Sequence, residues 1–220
     1  MTAPALRAEV PGPHAGASVL HAGAPLGGAR RALVLFHGRG ARATDILGLG
    51  EAIAPEDWTL LAPQAAGDTW YPNRFLAPLA DNEPWLSSAL AVAGACLGWL
   101  TARGIAPGAI ALAGFSQGAC LALEFAARAP RRYAALLGFA GGRIGPLGGE
   151  LAPAEGDFAA TPTLLSCGVP DPHIPERRVR ETAEWFTAAG AAVELRLVPG
   201  LGHTIDAAAL RAARAILAAA

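Results

Sequence analysis

The sequence predicts an α/β protein with a mostly parallel, doubly wound sheet and helices on both of its faces. Short apolar runs alternate along the chain with longer segments of helical pattern, and this alternation is typical of parallel sheets. The chain has 220 residues, which are enough to bury a substantial core in one domain. Because no linker or low-complexity segment divides it, we expect a single domain over residues 1–220, with no large cap domain.

Six apolar runs are the expected core strands. They are ALVLF (32–36), TLLAP (59–63), AIALAG (109–114), YAALLGFAG (133–141), TLLSCG (163–168) and VELRLVPG (193–200). Helical patterns lie between or after them, over residues 44–54, 84–103, 117–128, 175–189 and 205–219. Residues 1–31 hold two shorter apolar pieces, ALRAEV and ASVLHAG, which would fit an antiparallel hairpin at the edge of the sheet.

Two connections are longer than strand-to-helix loops usually are. Residues 64–84 and 143–158 each follow a predicted strand. Functional residues of open α/β sheets lie on loops at the carboxyl ends of the strands, so we expect these two segments to wall a pocket.

Composition argues against several classes of function. The formal net charge is −1, and all 17 basic residues are arginines scattered along the chain, so no nucleic-acid surface is expected. The longest apolar segment, residues 88–100, is too short and too rich in small residues for an integral membrane segment. The first residues lack the pattern of a secretory signal, and we therefore expect a cytoplasmic protein.

Three cysteines are present, and their pattern favours buried free thiols. Cys96, Cys120 and Cys167 lie in apolar segments without C-x-x-C spacing. Their odd number argues against a disulfide framework, and we expect no metal site.

A lone serine stands between two glycines in LAGFSQGAC, residues 112–120. An expected strand precedes it and an expected helix follows it, so the turn between them is very short. Gly114 and Gly118 would allow the backbone segments to approach closely, and Ser116 would sit exposed and strained at the apex. Such pentapeptides also arise by chance in ordinary turns, so a nucleophilic role for Ser116 depends on the rest of the machinery being present.

A serine nucleophile needs a base, and the chain has five histidines. In doubly wound hydrolases the chain order is nucleophile, acid, histidine. His203, after the last predicted strand, is the histidine that satisfies this order with room for a preceding acid. His37 follows the first core strand in HGRG and is better explained as a residue that orders this loop than as a base.

The expected acid is Asp171. It follows the predicted strand TLLSCG in GVPDPHIP, where two prolines stiffen the loop. A carboxylate fixed there can reach a histidine on the loop of the next strand. The alternative role for this side chain is an Asx turn or a cap of the following helix.

Two backbone N–H groups are expected to stabilise an oxyanion. One belongs to Gln117, directly after the serine, at the start of a helix whose free N–H groups and positive potential favour an anion. The other belongs to Arg39 in HGRG, a loop whose glycines let the backbone approach a substrate.

Four motifs, HGRG, GFSQG, GVPDPHIP and GLGHTI, occur in this order at the ends of predicted strands. From about residue 33 onward the sequence resembles the phospholipase/carboxylesterase family of α/β-hydrolases, which also contains the acyl-protein thioesterases. The resemblance implies the α/β-hydrolase fold, no metal or organic cofactor, and a small-molecule ester as the partner. It also implies a nucleophile, an acid, a base and two oxyanion donors, at Ser116, Asp171, His203, Arg39 and Gln117 respectively.

The resemblance has two departures and one further match. Thioesterase members often carry an acidic residue after the HGxG loop, where this chain has Ala41, and His173 beside the acid is not a residue that the family leads us to expect. These departures leave the acyl substrate open. The segment TWYPNRF, residues 69–75, is similar to the substrate-side loop of bacterial members.

The aromatic-rich segment after residue 69 has two possible roles. Its large side chains would either line the acyl or alcohol pocket or anchor a long loop to the core, and the sequence favours neither. The residues concerned are Trp70, Tyr71, Phe75 and Leu76.

The sequence therefore favours a serine carboxylesterase that hydrolyses small or medium acyl esters through a Ser-His-Asp triad and an acyl-enzyme. The alternatives are an acyl thioesterase or lysophospholipase, or a hydrolase of small lactones or aromatic esters, since the same oxyanion geometry serves all of them. A binding module that retains the scaffold without catalysis is the alternative from another class. A homodimer also stays open, because a domain rich in small apolar residues could expose a flat patch.

Overall fold

The computed structural model describes residues 6–149 and 151–220, so Ala5 of the ALRAEV piece and position 150 of the second long loop lie outside it. The described residues form eight strands and five α-helices. The strands are β1 (Leu6–Ala8), β2 (Ala17–Gly23), β3 (Arg31–Phe36), β4 (Trp58–Pro63), β5 (Ile110–Phe115), β6 (Leu136–Phe139), β7 (Pro162–Val169) and β8 (Ala192–Pro199). The helices are α1 (Ala43–Ile53), α2 (Trp85–Thr101), α3 (Gln117–Arg128), α4 (Glu176–Ala188) and α5 (Ala207–Ala219).

The strands make one sheet in the order β1-β2-β4-β3-β5-β6-β7-β8. Strand β2 pairs antiparallel with both β1 and β4, and every other pairing in the described sheet is parallel. The prediction of a mostly parallel α/β sheet is therefore confirmed. The antiparallel β1 and β2 lie at one edge, where the sequence placed a hairpin.

The core lies on both faces of the sheet because alternate side chains of each strand point to opposite sides. In β3, Val34 and Phe36 pack in the cluster that includes α2, α3 and α4, whereas Leu33 and Leu35 pack in the cluster with α1 and α5. Strands covered on both faces need apolar residues at every position, which explains the continuous runs in the sequence.

Several element bounds differ from the sequence prediction by one or more residues, and two of these differences have identifiable reasons. Strand β6 is shorter than the run over residues 133–141, because the Tyr133 N–H bonds the Thr161 hydroxyl at 3.0 Å and Ala140 turns to a φ of +49°. Helix α5 begins two residues later than expected, because the Asp206 carboxylate caps it by accepting a 2.9 Å hydrogen bond from the Ala209 N–H.

The long segment over residues 64–84 contains two short 3₁₀ turns, Ala66–Asp68 and Leu79–Asn82, and contributes no α-helix or strand of its own. No large cap domain covers the carboxyl edge of the sheet in the part of the chain that the structure describes. None of the described helices has the length and hydropathy needed to cross a membrane.

Truncating a core side chain should destabilise this sheet measurably. Leu164 of β7 is fully buried, so Leu164→Ala is expected to lower the free energy of unfolding by about 2–5 kcal/mol in urea titrations. Leu79→Ala is the matched control, because that side chain is 39% exposed and its loss should cost less than about 0.5 kcal/mol. Equal losses for the two variants would contradict the assignment of the core.

Candidate active site

The serine of GFSQG lies on a sharp turn between β5 and α3. Ser116 has a φ of +54° and a ψ of −121°, a backbone conformation that side chains rarely adopt. A Cβ at Gly114 would collide with the backbone of Gly118, and a Cβ at Gly118 would collide with the carbonyls of Phe36 and His37. The turn is therefore this tight only because both flanking residues are glycines.

Three side chains predicted from the sequence meet at this turn. The Asp171 Oδ2 lies 2.7 Å from the His203 Nδ1, and the His203 Nε2 lies 2.9 Å from the Ser116 Oγ. Because an ionised carboxylate can only accept, the Nδ1 carries the proton and the Nε2 is left to accept from the serine hydroxyl. This protonation state is the one that a general base requires.

The loops after β7 and β8 hold the acid and the histidine. Asp171 has a fully buried side chain, and its Oδ1 accepts hydrogen bonds from the N–H groups of His173 at 2.8 Å and Ile174 at 3.0 Å. The Gly200 N–H joins the two loops by donating to the Val169 carbonyl at 2.7 Å. The Asx turn considered for Asp171 is thus present, and it orients the same carboxylate toward the histidine.

These hydrogen bonds keep Asp171 ionised. Burial raises the pKa of this carboxyl group, but hydrogen bonds from the His203 ring and from the N–H groups of His173 and Ile174 lower it more. The net pKa lies below the usual value for an aspartate. A permanent negative charge at this position stabilises a positive charge on the neighbouring imidazole.

The two expected oxyanion donors border the same cavity as Ser116. Neither the N–H of Arg39 nor that of Gln117 donates a hydrogen bond to another of the described residues. Gln117 is the first residue of α3, where N–H groups have no partner within the helix and the helix dipole favours negative charge.

Gln117 has a second role that the sequence reasoning missed. Its side-chain Nε2 donates to the Tyr71 carbonyl at 2.8 Å, and its Oε1 accepts from the Trp70 N–H at 3.0 Å. The side chain thus ties the segment after β4 to the first turn of α3. An amide side chain at a helix position flanked by small residues was the only signal for this role.

Trp70 anchors this segment and does not line the cavity. Its side chain is fully buried, and its Nε1–H donates to the His37 carbonyl at 2.9 Å. The ring lies between those of His14 and His37, at centroid distances of 5.5 and 5.0 Å. Of the two roles left open by the sequence, Trp70 has the structural one, and Leu76 is likewise not among the cavity-lining residues.

His37 has both ring nitrogens bonded within the protein. Its Nε2 accepts from the Ala65 N–H at 3.1 Å, which leaves the Nδ1–H to donate to the Gly38 carbonyl at 2.8 Å. Burial lowers the pKa of the ring despite the hydrogen bond to Gly38 and the charges of Asp68 and Asp45. A neutral ring with no free nitrogen orders the loop, as the sequence suggested, and is not available as a base.

His14 supports the same segment from the other side, a role that no sequence pattern indicated. Its Nδ1 accepts from the Ala66 N–H at 3.1 Å, so its Nε2–H donates to the Trp70 carbonyl at 3.0 Å. Burial also lowers the pKa of this ring, while the hydrogen bond to Trp70 opposes that shift.

The cavity at the serine has a volume of about 440 Å³. Tyr71 and Phe75 border it, as does Phe115, together with His173, whose ring meets that of His203 edge-on at 4.8 Å between centroids. Ligand sites of this size are typical for small molecules.

The cysteines and possible metal ligands add no further chemistry here. Burial raises the pKa of Cys96, Cys120 and Cys167 to about 12, so these thiols stay protonated and are weak nucleophiles. Among the described residues, no group of three or more His, Cys, Asp or Glu side chains is close enough together to hold a metal ion.

The strand order and the serine turn define an α/β-hydrolase. The model of the phospholipase/carboxylesterase family matches residues 22–220, and the chain belongs to that family. A phospholipase/carboxylesterase from Dyadobacter fermentans DSM 18053 is 40% identical, with a TM-score of 0.87, and the match covers 90% of this chain and 95% of that one.

Two further solved structures are similar over almost the whole chain. Esterase PE8 is 28% identical with a TM-score of 0.73, and the match covers 92% of this chain and 98% of that one. SOBER1 from Arabidopsis thaliana is 18% identical with a TM-score of 0.67, and the match covers 87% of this chain and 99% of that one. This similarity shows a shared fold. The search of curated protein sequences found no match.

The two buried histidines should make stability depend on pH. Because burial holds their folded pKa values below 6.5, the unfolded chain binds more protons once the pH falls below about 6.5. The free energy of unfolding should therefore be retained above that pH and decrease as the pH falls below about 6.5. Urea titrations of the wild type and of His14→Gln should show a weaker decrease in the variant. His21→Gln, at an exposed position, is the control, and an equal decrease in all three proteins would contradict this origin.

Removing the Gln117 amide should loosen the segment that it holds. Gln117→Ala leaves the buried Trp70 N–H without its acceptor, at a cost of about 1–3 kcal/mol. Hydrogen exchange should therefore speed up in residues 69–72, whereas β7 should exchange as in the wild type. Unchanged exchange in residues 69–72 would show that the other contacts of Trp70 suffice to hold the loop.

Proposed function

We propose that this protein is a serine carboxylesterase that hydrolyses small or medium acyl esters through an acyl-enzyme. The observation that carries the proposal is the hydrogen-bonded chain from Asp171 through His203 to Ser116, at the mouth of a cavity. The family and the fold support ester hydrolysis as the reaction class.

In the first half of the reaction, the Ser116 oxygen attacks the ester carbonyl while the His203 Nε2 takes the hydroxyl proton. The carbonyl oxygen becomes negative, and the N–H groups of Arg39 and Gln117 are the donors proposed to stabilise it. When the tetrahedral intermediate collapses, the ester bond breaks and the alcohol leaves with the proton from His203. The product is an acyl-serine ester.

In the second half, water repeats the attack on the acyl-serine. The His203 Nε2 takes a proton from the water, and the bond between the Ser116 oxygen and the acyl carbon breaks. The serine recovers its proton, and the carboxylic acid leaves. Asp171 orients the imidazole and stabilises its cationic form in both halves, and its lowered pKa supports this role.

The cavity supports a preference for short acyl groups. Its volume of about 440 Å³ is modest, and Tyr71, Phe75 and Phe115 are the large aromatic side chains among the lining residues. A thioester of the same acyl group could use the same oxyanion donors, because these donors contact the carbonyl oxygen and not the leaving group. Turnover of an ester and a thioester with one common acyl group separates these two activities.

Ser116→Ala should lower the turnover of p-nitrophenyl esters by several orders of magnitude without unfolding the protein. Rates with acetate, butyrate, octanoate and palmitate esters should be highest for the short chains. Some residual activity is expected, because oxyanion donors and binding contribute without the nucleophile. Ser87→Ala, at an exposed serine of α2, is the matched control and should keep wild-type rates.

Labelling with a fluorophosphonate provides an independent test of the same serine. The wild type should be labelled at Ser116, and Ser116→Ala should not. A folded wild type that neither turns over esters nor takes the label would overturn the proposal and favour a binding module.

A further inference from the structure

The cavity at Ser116 has an unbalanced charge. Arg39 and Arg74 are among the residues that line it, whereas none of the lining residues is an aspartate or a glutamate. Asp171, the nearest carboxylate in the site, lies behind His203 with a fully buried side chain that is already hydrogen-bonded. A cleft lined by charges of one sign attracts ligands of the opposite sign.

Arg39 is fixed in place without losing its charge. Its Nη1 donates to the Pro72 carbonyl at 2.9 Å, and its Nη2 donates to the Asn73 carbonyl at 2.6 Å. These acceptors are neutral, and no carboxylate of the described chain lies within 4.0 Å of the guanidinium. The positive charge of Arg39 is therefore not neutralised by an ion pair, and it belongs to a residue that lines the cavity and whose N–H is a proposed oxyanion donor.

Arg74 combines a fixed backbone with a free side chain. The buried Asn82 holds the segment by accepting from the Asn73 N–H at 2.9 Å and donating to the Arg74 carbonyl at 3.3 Å. The exposed guanidinium of Arg74, by contrast, makes no hydrogen bond or ion pair with any residue that the structure describes. A guanidinium on a rigid loop at a cavity wall is well suited to a planar or tetrahedral anion.

We propose that the substrate is an ester that carries an anionic group, a carboxylate or a phosphate, close to the scissile bond, and that Arg74 binds this group. The proposal rests on the esterase function proposed above and adds the chemical class of the substrate. Arg39 adds a second positive charge to the same cavity, and Arg74 is the residue that determines the specificity for the anion.

Pairs of esters in which an anionic substituent is replaced by a neutral carbamoyl group test this inference. On the acyl side, monoethyl glutarate is compared with its amide, ethyl 4-carbamoylbutanoate. On the alcohol side, 4-carboxyphenyl butyrate and 4-phosphonooxyphenyl butyrate are compared with 4-carbamoylphenyl butyrate. In at least one comparison the wild type should show a kcat/KM about 10-fold or more higher for the anionic ester than for the neutral one. The ester that shows this preference identifies whether the bound anion is a carboxylate or a phosphate.

Arg74→Gln should remove this preference. The kcat/KM of the anionic ester should fall about 10-fold, mainly through a higher KM. The kcat/KM of the neutral carbamoyl ester should change much less. Arg74→Lys should restore part of the preference, and added salt should reduce it in the wild type. Arg211→Gln, at an exposed arginine on α5, is the charge-matched control and should behave as the wild type does.

The outcomes separate this inference from the proposed function. If the neutral carbamoyl esters are hydrolysed in a reaction that depends on Ser116, and no anionic ester is preferred, the inference is overturned. The proposed esterase function is then unaffected. Equal effects of Arg74→Gln on charged and neutral esters would also overturn it. Failure of every ester to react would overturn both.

Discussion

The close approach of α3 to the end of β3 is the contact on which the candidate site depends. Gly118, in the first turn of α3, lies so near the carbonyls of Phe36 and His37 that no Cβ fits between them. This approach requires β3 and β5 to be neighbours in the sheet, which the strand order provides. It places the serine turn beside HGRG, so that the N–H groups of Arg39 and Gln117 border one cavity.

The wall of the cavity is a loop, and buried side chains give it the rigidity of a regular element. Loop backbone has polar groups that need partners when buried. Here His14, His37 and Gln117 supply those partners to residues 65–71, and Trp70 fills the space between the two histidine rings. A site on a loop stays in position only when its supporting contacts are this complete.

The sequence contained much of this architecture because the relevant signals are local. Alternating apolar runs and helical patterns predicted the sheet, and the order of Ser116, Asp171 and His203 at strand ends predicted which side chains meet. The role of Trp70 stayed open, because an aromatic residue on a loop has the same pattern whether it faces a cavity or the core. His14 was missed because it is 56 residues from Trp70, and no local pattern links such distant positions.

The shorter β6 has a similar explanation. The run over residues 133–141 is apolar throughout, but Tyr133 and Ala140 are buried although they lie outside the strand. An apolar pattern reports burial and does not distinguish a strand residue from a buried residue beside the strand. The side-chain role of Gln117 was hidden in the same way, because the motif GFSQG explains its backbone and leaves the amide unassigned.

The wide separation of the site residues along the chain also has a consequence for folding. Ser116 and His203 are 87 residues apart, and they meet only when β5, β7 and β8 are aligned in one sheet. Contacts between such distant segments close late and slowly, because much of the chain must already be ordered. A sheet in which β5 to β8 are not yet paired would therefore lack the Ser116 to His203 contact, and recovery of that contact would report assembly of this half of the sheet.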